Sequence, residues 1–225
     1  LSNAAVLVKT TTALGVRPGL FYGGSGTIIS GTAGMSYSVA AYQCVTQRSA
    51  SAGAVFGGND GALSVATTAA PGSNSRIDII YHWPREFALD GVDSNPVISV
   101  VQGAAAAVPV APSLAAFPGA IELGRATVAA GAVATNGAGV TITQTAPFTA
   151  LHDGVVPFRN MPEMNLWTTA LTGQRALDLS RGLNYRYSGS GWLVDGGGLI
   201  PIIPTSVAGT GVSLGSAGRV IFSAS

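Results

Sequence analysis

Ser75-Arg76-Ile77-Asp78-Ile79-Ile80-Tyr81-His82-Trp83 is the stretch whose reading decides the fold. Its β-branched and aromatic residues, opened by Pro71-Gly72-Ser73-Asn74 and closed by Pro84, predict a strand over 76–83. Alternation puts Arg76, Asp78 and Ile80 on one face, and Ile77, Ile79 and Tyr81 on the other. A cation and an anion two apart on one face cannot be buried singly. The plain expectation is a surface pair on an edge strand, contributing at most about 1 kcal/mol. The sharper one is a pair at an interface between subunits.

Working outward, Pro96 to Gly103 predicts a second strand over 96–102. Upstream, strands are expected at Ala5–Thr10, Met35–Val45 and Leu63–Thr67, with the glycine clusters at 23–26, 31–34 and 57–61 read as turns. Short strands at this spacing favour a β-sandwich or meander over a helical fold. Ala104 to Pro118 reads as an extended Pro/Ala linker lying along a surface. Strands follow at Ala120–Val128 and Val140–Gln144. Beyond Pro147 the character changes: a short helix at Asn165–Leu171, then a three-strand meander at 174–179, 183–187 and 191–195. The expected organisation is an N-terminal β-sandwich over 1–103, a linker over 104–119 and strands completing that domain over 120–146. A helix-plus-meander module covers 147–195, and a Gly-rich extended segment covers 196–225, with a strand at Arg219–Ser223.

Composition narrows the function classes. Charged residues make up 9% of the 225, whereas 31 are glycine; an average soluble domain is roughly 25% charged. No apolar run approaches the roughly 18 residues of a spanning helix, so membrane insertion is not expected. A net charge of +1 with a pI near 8.1 and no basic cluster gives nucleic acid no electrostatic footprint. It also leaves little repulsion between copies, which suits assembly. The single cysteine, Cys44, excludes an internal disulfide and a cysteine-based zinc site. A signal peptide is not expected, since the opening residues read as neither a charged n-region nor an apolar h-region.

Catalysis has little to build on. His82 reads as a packed ring within its strand. His152 and Asp153 are sequence neighbours, expected not to face each other productively. The histidines lack metal-ligand spacing. Gly211-Val212-Ser213-Leu214-Gly215 matches the nucleophile-elbow pattern without the helix that pattern needs. Asp90 and Asp93 lack the glycine and terminal glutamate of a calcium loop and read as a solvated turn. The expectation is a non-enzyme without cofactor, metal or catalytic residues.

Three blocks resemble the minor tail and tail-fibre proteins of tailed bacteriophages, especially those of actinobacterial hosts. The first is Ser75 to Ile80 with the strand at 97–103. The second is Phe117-Pro118-Gly119-Ala120-Ile121-Glu122-Leu123-Gly124-Arg125-Ala126-Thr127-Val128-Ala129-Ala130-Gly131-Ala132, with Gly124 where that family usually has alanine. The third is Gly173-Gln174-Arg175-Ala176-Leu177-Asp178 followed by Tyr185-Arg186-Tyr187-Ser188-Gly189-Ser190-Gly191-Trp192. Tyr81-His82-Trp83-Pro84 departs from the commoner Val-Ala-Arg run, so this strand is expected to meet an unusual neighbour. Ile203 to Val212 resembles the entry to a C-terminal head, and the chain ends where such a head would begin.

The resemblance implies a mainly β virion protein of the tail tip, baseplate or fibre that positions receptor-binding surface during host attachment. It implies a homotrimer whose C-terminal meander forms a shaft, with other tail proteins and a host cell-surface glycan as partners. Modules this short bury little alone, and copies winding together complete a core. Interface residues on this reading are Arg76, Asp78, Trp83, Tyr187 and Trp192; the plainer alternative is that Tyr187 and Trp192 close the meander's own core. Alternatives are a polysaccharide depolymerase, a capsid decoration or head-fibre protein, and a secreted glycan-binding module.

Overall fold

The computed structural model describes residues 16–49, 53–91 and 93–195, with two short strands beyond them. Two units are distinguished, 1–195 and 196–225. The chain is mainly β, arranged in several sheets. In chain order the first unit holds β1 (Gly19–Phe21), β2 (Ile29–Gly31), β3 (Ser36–Val39), β4 (Tyr42–Gln47), β5 (Ala54–Asn59), β6 (Leu63–Ala66) and β7 (Arg76–Trp83). Then come α1 (Phe87–Asp90), β8 (Val97–Gln102), β9 (Ile121–Val128), β10 (Val140–Gln144), β11 (Phe148–Thr149), β12 (Val155–Phe158) and α2 (Met161–Asn165). β13 (Arg175–Asp178), β14 (Leu183–Tyr187) and β15 (Trp192–Val194) complete the unit. In the second unit β16 (Val212–Leu214) pairs antiparallel with β17 (Val220–Phe222).

β7 lies inside its sheet, not at the edge: the order is β10-β9-β7-β8, all antiparallel. A second sheet has the order β11-β1-β4-β5 and a third β2-β3-β6. Buried side chains of these three meet in one core, among them Leu20, Ile29, Tyr37, Val39, Tyr42, Ile80, Leu123 and Phe148. The opposite face of β7 is covered by the Pro/Ala stretch. Phe117 packs on Tyr81 at 4.6 Å and edge-on to Trp83 at 5.3 Å between centroids. Gly124 has a packing reason. A Cβ there would meet Ile29 Cγ1 at 3.0 Å and the Thr143 carbonyl at 3.1 Å, so β2 can lie on β9 only over a bare backbone.

Several local expectations are corrected. Residues 35–45 form not one strand but β3 and β4, in different sheets. The chain switches at Ala40, whose N–H donates to the Ile28 carbonyl, while the Asn59 amide donates to the Val39 and Ala40 carbonyls. Gly57, Gly58 and Asn59 lie in β5, where alternate pairing with β4 outweighs their turn propensity. The helix begins earlier than expected. Asn160 caps it by accepting from the Glu163 N–H at 3.0 Å, and Pro162 sits in the first turn. The expected meander has a fourth strand: β12 runs parallel to β13, giving the order β12-β13-β14-β15. Pro157 is tolerated there because β12 is an edge. The expected strand at Ala5–Thr10 lies outside the described residues.

Arg17 and Arg159 tie this last sheet to the rest of the first unit. The Arg17 guanidinium lies 4.9 Å from the Phe158 ring centre and 4.7 Å from that of Trp167, while Nε donates to the Phe148 carbonyl at 2.9 Å. Arg159 sits over the Phe148 ring, donates to the Ala146 carbonyl and pairs with Glu163 at 2.6 Å.

Candidate functional site

Arg76 and Asp78 come together, as alternation on β7 requires, but inside a single subunit. Arg76 Nε donates to Asp78 Oδ1 at 2.7 Å. Its other nitrogens are spent on the Ala69 and Thr68 carbonyls and the Thr67 hydroxyl. Asp78 Oδ2 accepts from the Tyr37 phenol at 2.9 Å and from Thr67 at 2.7 Å. Arg76 is 5% exposed and Asp78 0%. A surface pair on an edge strand does not describe this site: each Asp78 oxygen and each Arg76 nitrogen has a partner within the chain.

Beside it on the same face, His82 is fully buried and its Nδ1 meets the Tyr42 hydroxyl at 2.8 Å. Its Nε2 has no partner and faces Gly57, where a Cβ would stand 2.9 Å away. Burial pulls the His82 pKa down to about 4 and pushes the neighbouring Cys44 thiol up to about 12. The ring is neutral, and the unusual neighbours of this strand are Tyr42 on one side and Phe117 on the other.

Trp192 and Tyr187 are half-buried in the C-terminal sheet, ring to ring at 5.1 Å, with Trp192 5.5 Å from Trp167. Around them the surface mixes aliphatic and charged groups. β15 is the last strand of its sheet, and Leu193 (55% exposed) and Val194 (45%) lie open on it. Register places Val155, Arg175, Arg186 and Leu193 in one row across the sheet. Asp195 pairs with Arg175 at 3.0 Å and lies 4.0 Å from Arg186.

Two concave regions stand out. One, of about 530 Å³, is lined by His152, Asp153, Trp167, Gln174 and Arg175 among others. Here His152 Nδ1 and Asp153 Oδ2 do face each other, at 3.1 Å, and Asp153 has a left-handed backbone (φ 63°). The other is a two-lobed groove along β1, β4 and β5, with volumes of about 490 and 600 Å³. Phe21, Gln43 and Asp60 line both lobes; Tyr22 and Phe148 line one, Phe56 and Leu151 the other. The Phe21 and Phe56 rings are parallel within 4°, their centroids 6.2 Å apart.

Sequence reasoning missed this groove. Its residues are far apart in the chain, and only the register of β4 with β1 and β5 assembles them. The expected solvated turn at Asp90 and Asp93 is instead held by ion pairs. Arg48 grips Asp90 with two hydrogen bonds, at 2.7 and 2.9 Å, and holds its carboxyl below the usual range. Arg85 pairs with Asp93 at 2.8 Å. Among the described residues no group of three or more His, Cys, Asp or Glu could hold a metal ion, and no helix is long and apolar enough to cross a membrane. Comparison with protein-family models, curated proteins and solved structures finds no match.

Proposed function

We propose that this chain is a non-catalytic structural protein of a bacteriophage virion, part of the tail tip, baseplate or fibre, which acts as a homotrimer and positions receptor-binding surface. The observation that carries the reading is the open edge of the C-terminal sheet. Among the described residues, Trp192-Leu193-Val194 forms an outermost strand without charge or proline, with its aliphatic side chains exposed. Soluble proteins normally guard such edges; three copies packed around them would cover both the apolar groups and the unpaired backbone. Trp192, Tyr187 and Trp83 contribute to that packing on this reading. The three sheets sharing the Leu20–Ile80–Leu123 core we read as the β-sandwich that docks to the tail, with the meander leading away as the shaft.

Cleavage of a polysaccharide is the weaker alternative, because among the described residues each of these two concave regions is lined by one carboxylate, Asp153 or Asp60, whereas glycoside hydrolysis ordinarily needs two. The test is the particle and the solution mass together. Antibodies against the chain are expected to label the tail of the virion, and the purified chain is expected to have three times the monomer mass. Labelling of the head, or a monomer at micromolar concentration, overturns the reading.

A further inference from the structure

We infer that the two-lobed groove along β1, β4 and β5 is a binding site for a neutral oligosaccharide. Its size fits: each lobe falls within the roughly 300–1,000 Å³ of small-molecule sites. Its chemistry is of two kinds, flat apolar faces and unspent hydrogen-bonding groups. Phe56 is 45% exposed and parallel to Phe21 across β4, and Tyr22, 36% exposed, stands edge-on to Phe148. Aromatic faces carry negative quadrupole charge and attract positively polarised C–H bonds, which a sugar ring presents on its two sides.

The polar groups sit between the rings. Gln43 and Asp60 are exposed, and neither side chain has a hydrogen bond or ion pair within the described chain. Other polar groups nearby are already committed: the Tyr22 hydroxyl donates to the Gly24 carbonyl, and the Asn59 amide holds the Val39, Ala40 and Gly61 carbonyls. An amide that both donates and accepts, beside a carboxylate that accepts twice, matches hydroxyl groups, each a donor and an acceptor. The floor is bare. Gly58 carries no side chain because a Cβ there would meet the Tyr42 carbonyl at 2.5 Å, and at Gly57 a Cβ would point away from the groove, toward His82 in the core.

Charge selects among sugars. Among the described lining residues of the two lobes Asp60 is the only carboxylate, and no arginine, lysine or histidine joins it. An acidic glycan or a phosphate would meet repulsion with nothing to offset it. A neutral hexose or N-acetylhexosamine chain meets none. For its biological occupant, a host-surface glycan, the inference rests on the attachment reading above; its chemistry stands on the groove alone.

The experiment uses the full chain and three tetrasaccharides: chitotetraose and maltotetraose as neutral probes, and tetragalacturonate as the acidic one. Titration calorimetry, or saturation-transfer NMR for weak binding, is expected to find at least one neutral probe bound with a micromolar to millimolar Kd, and tetragalacturonate about tenfold weaker or undetectable. Phe56→Ala, Gln43→Ala and Asp60→Ala are each expected to weaken the neutral probe by about tenfold. Asp60→Asn is expected to narrow the gap between acidic and neutral probes. The three sites are exposed, and circular dichroism of each variant checks that it folds.

Three outcomes overturn the site: no neutral probe binding to the wild type, binding that survives both Phe56→Ala and Asp60→Ala, or Phe56→Ala altering the oligomeric mass while sugar binding stays intact. The last would make the ring pair an interface between copies. A chain that is trimeric and tail-borne yet blind to both neutral probes sinks the groove and leaves the attachment reading standing. Sugar binding by a head-borne monomer does the reverse.

Discussion

The Tyr42 hydroxyl and His82 Nδ1 meet at 2.8 Å, joining β4 to β7 across the shared core. With the ring proton on Nε2, the phenol donates to Nδ1, and the second nitrogen points at Gly57 with nothing to receive it. A second proton on this ring would put a charge beside an Nε2 that has no hydrogen-bond partner among the described residues.

Stability therefore depends on pH through His82. Its pKa is about 4 in the folded chain and roughly 6.5 when unfolded. The unfolded chain takes up the proton first, so stability is full above pH 6.5 and falls as pH drops toward 4. The total loss is about 3 kcal/mol by linkage. Urea midpoints between pH 7.5 and 5 check it: the wild type is expected to lose stability across that window, and His82→Phe to lose much less. Equal slopes for the two would remove His82 as the cause.

The Arg76–Asp78 pair makes a different prediction. Its four-sided satisfaction means that removing either partner strands a buried charge. Asp78→Asn and Arg76→Met are each expected to cost about 3–5 kcal/mol, with a double variant costing less than the sum. Denaturant titration of the four chains gives the coupling directly, and additive losses would mean that the two charges do not depend on each other.

The strand carrying these residues was legible because β-branched and aromatic side chains run unbroken between a turn and Pro84. β10 and β14 were equally plain, and both lie where the residue pattern puts them. What local pattern could not give was the neighbour of each face. Arg76 and Asp78 read as surface groups because nothing nearby in sequence announces Tyr37 and Thr67, which arrive from β3 and the segment after β6. The break between β3 and β4 falls at Ala40-Ala41, residues with no turn chemistry of their own, and is imposed by hydrogen bonds from distant strands. The groove is the extreme case: Phe21, Gln43, Phe56 and Asp60 have no shared motif and become one surface only through strand register.

Arg17 is expected to fasten the C-terminal sheet to the remainder of the first unit. Burial lowers its pKa to about 10, with the Glu163 charge pulling it back up, so it stays charged at neutral pH over Phe158 and Trp167. Arg17→Ala removes two cation–ring contacts and the bond to the Phe148 carbonyl, a loss of about 2 kcal/mol. Amide exchange at Val156, Ala176 and Tyr185 is the informative readout: these are expected to exchange faster while β7 and β9 keep their protection. Uniform acceleration in all the sheets would show that Arg17 supports the whole unit and is no local fastener.

The open edge at β15 is where assembly is most directly tested. Leu193→Lys adds a charge to a side chain that is already 55% exposed, so the isolated subunit is expected to change stability by no more than about 0.5 kcal/mol. In a trimer closed around that edge, three such charges would be brought together and partly desolvated, and like charges placed in that way are costly. Light scattering coupled to gel filtration is therefore expected to show wild-type trimers and Leu193→Lys monomers with the same circular dichroism spectrum. Leu89→Lys serves as the control, since Leu89 is 63% exposed in α1 and away from β15 in the chain; it is expected to leave the mass unchanged. A Leu193→Lys chain that stays trimeric would move the interface off this edge, and the exposed Leu193 and Val194 would need another explanation.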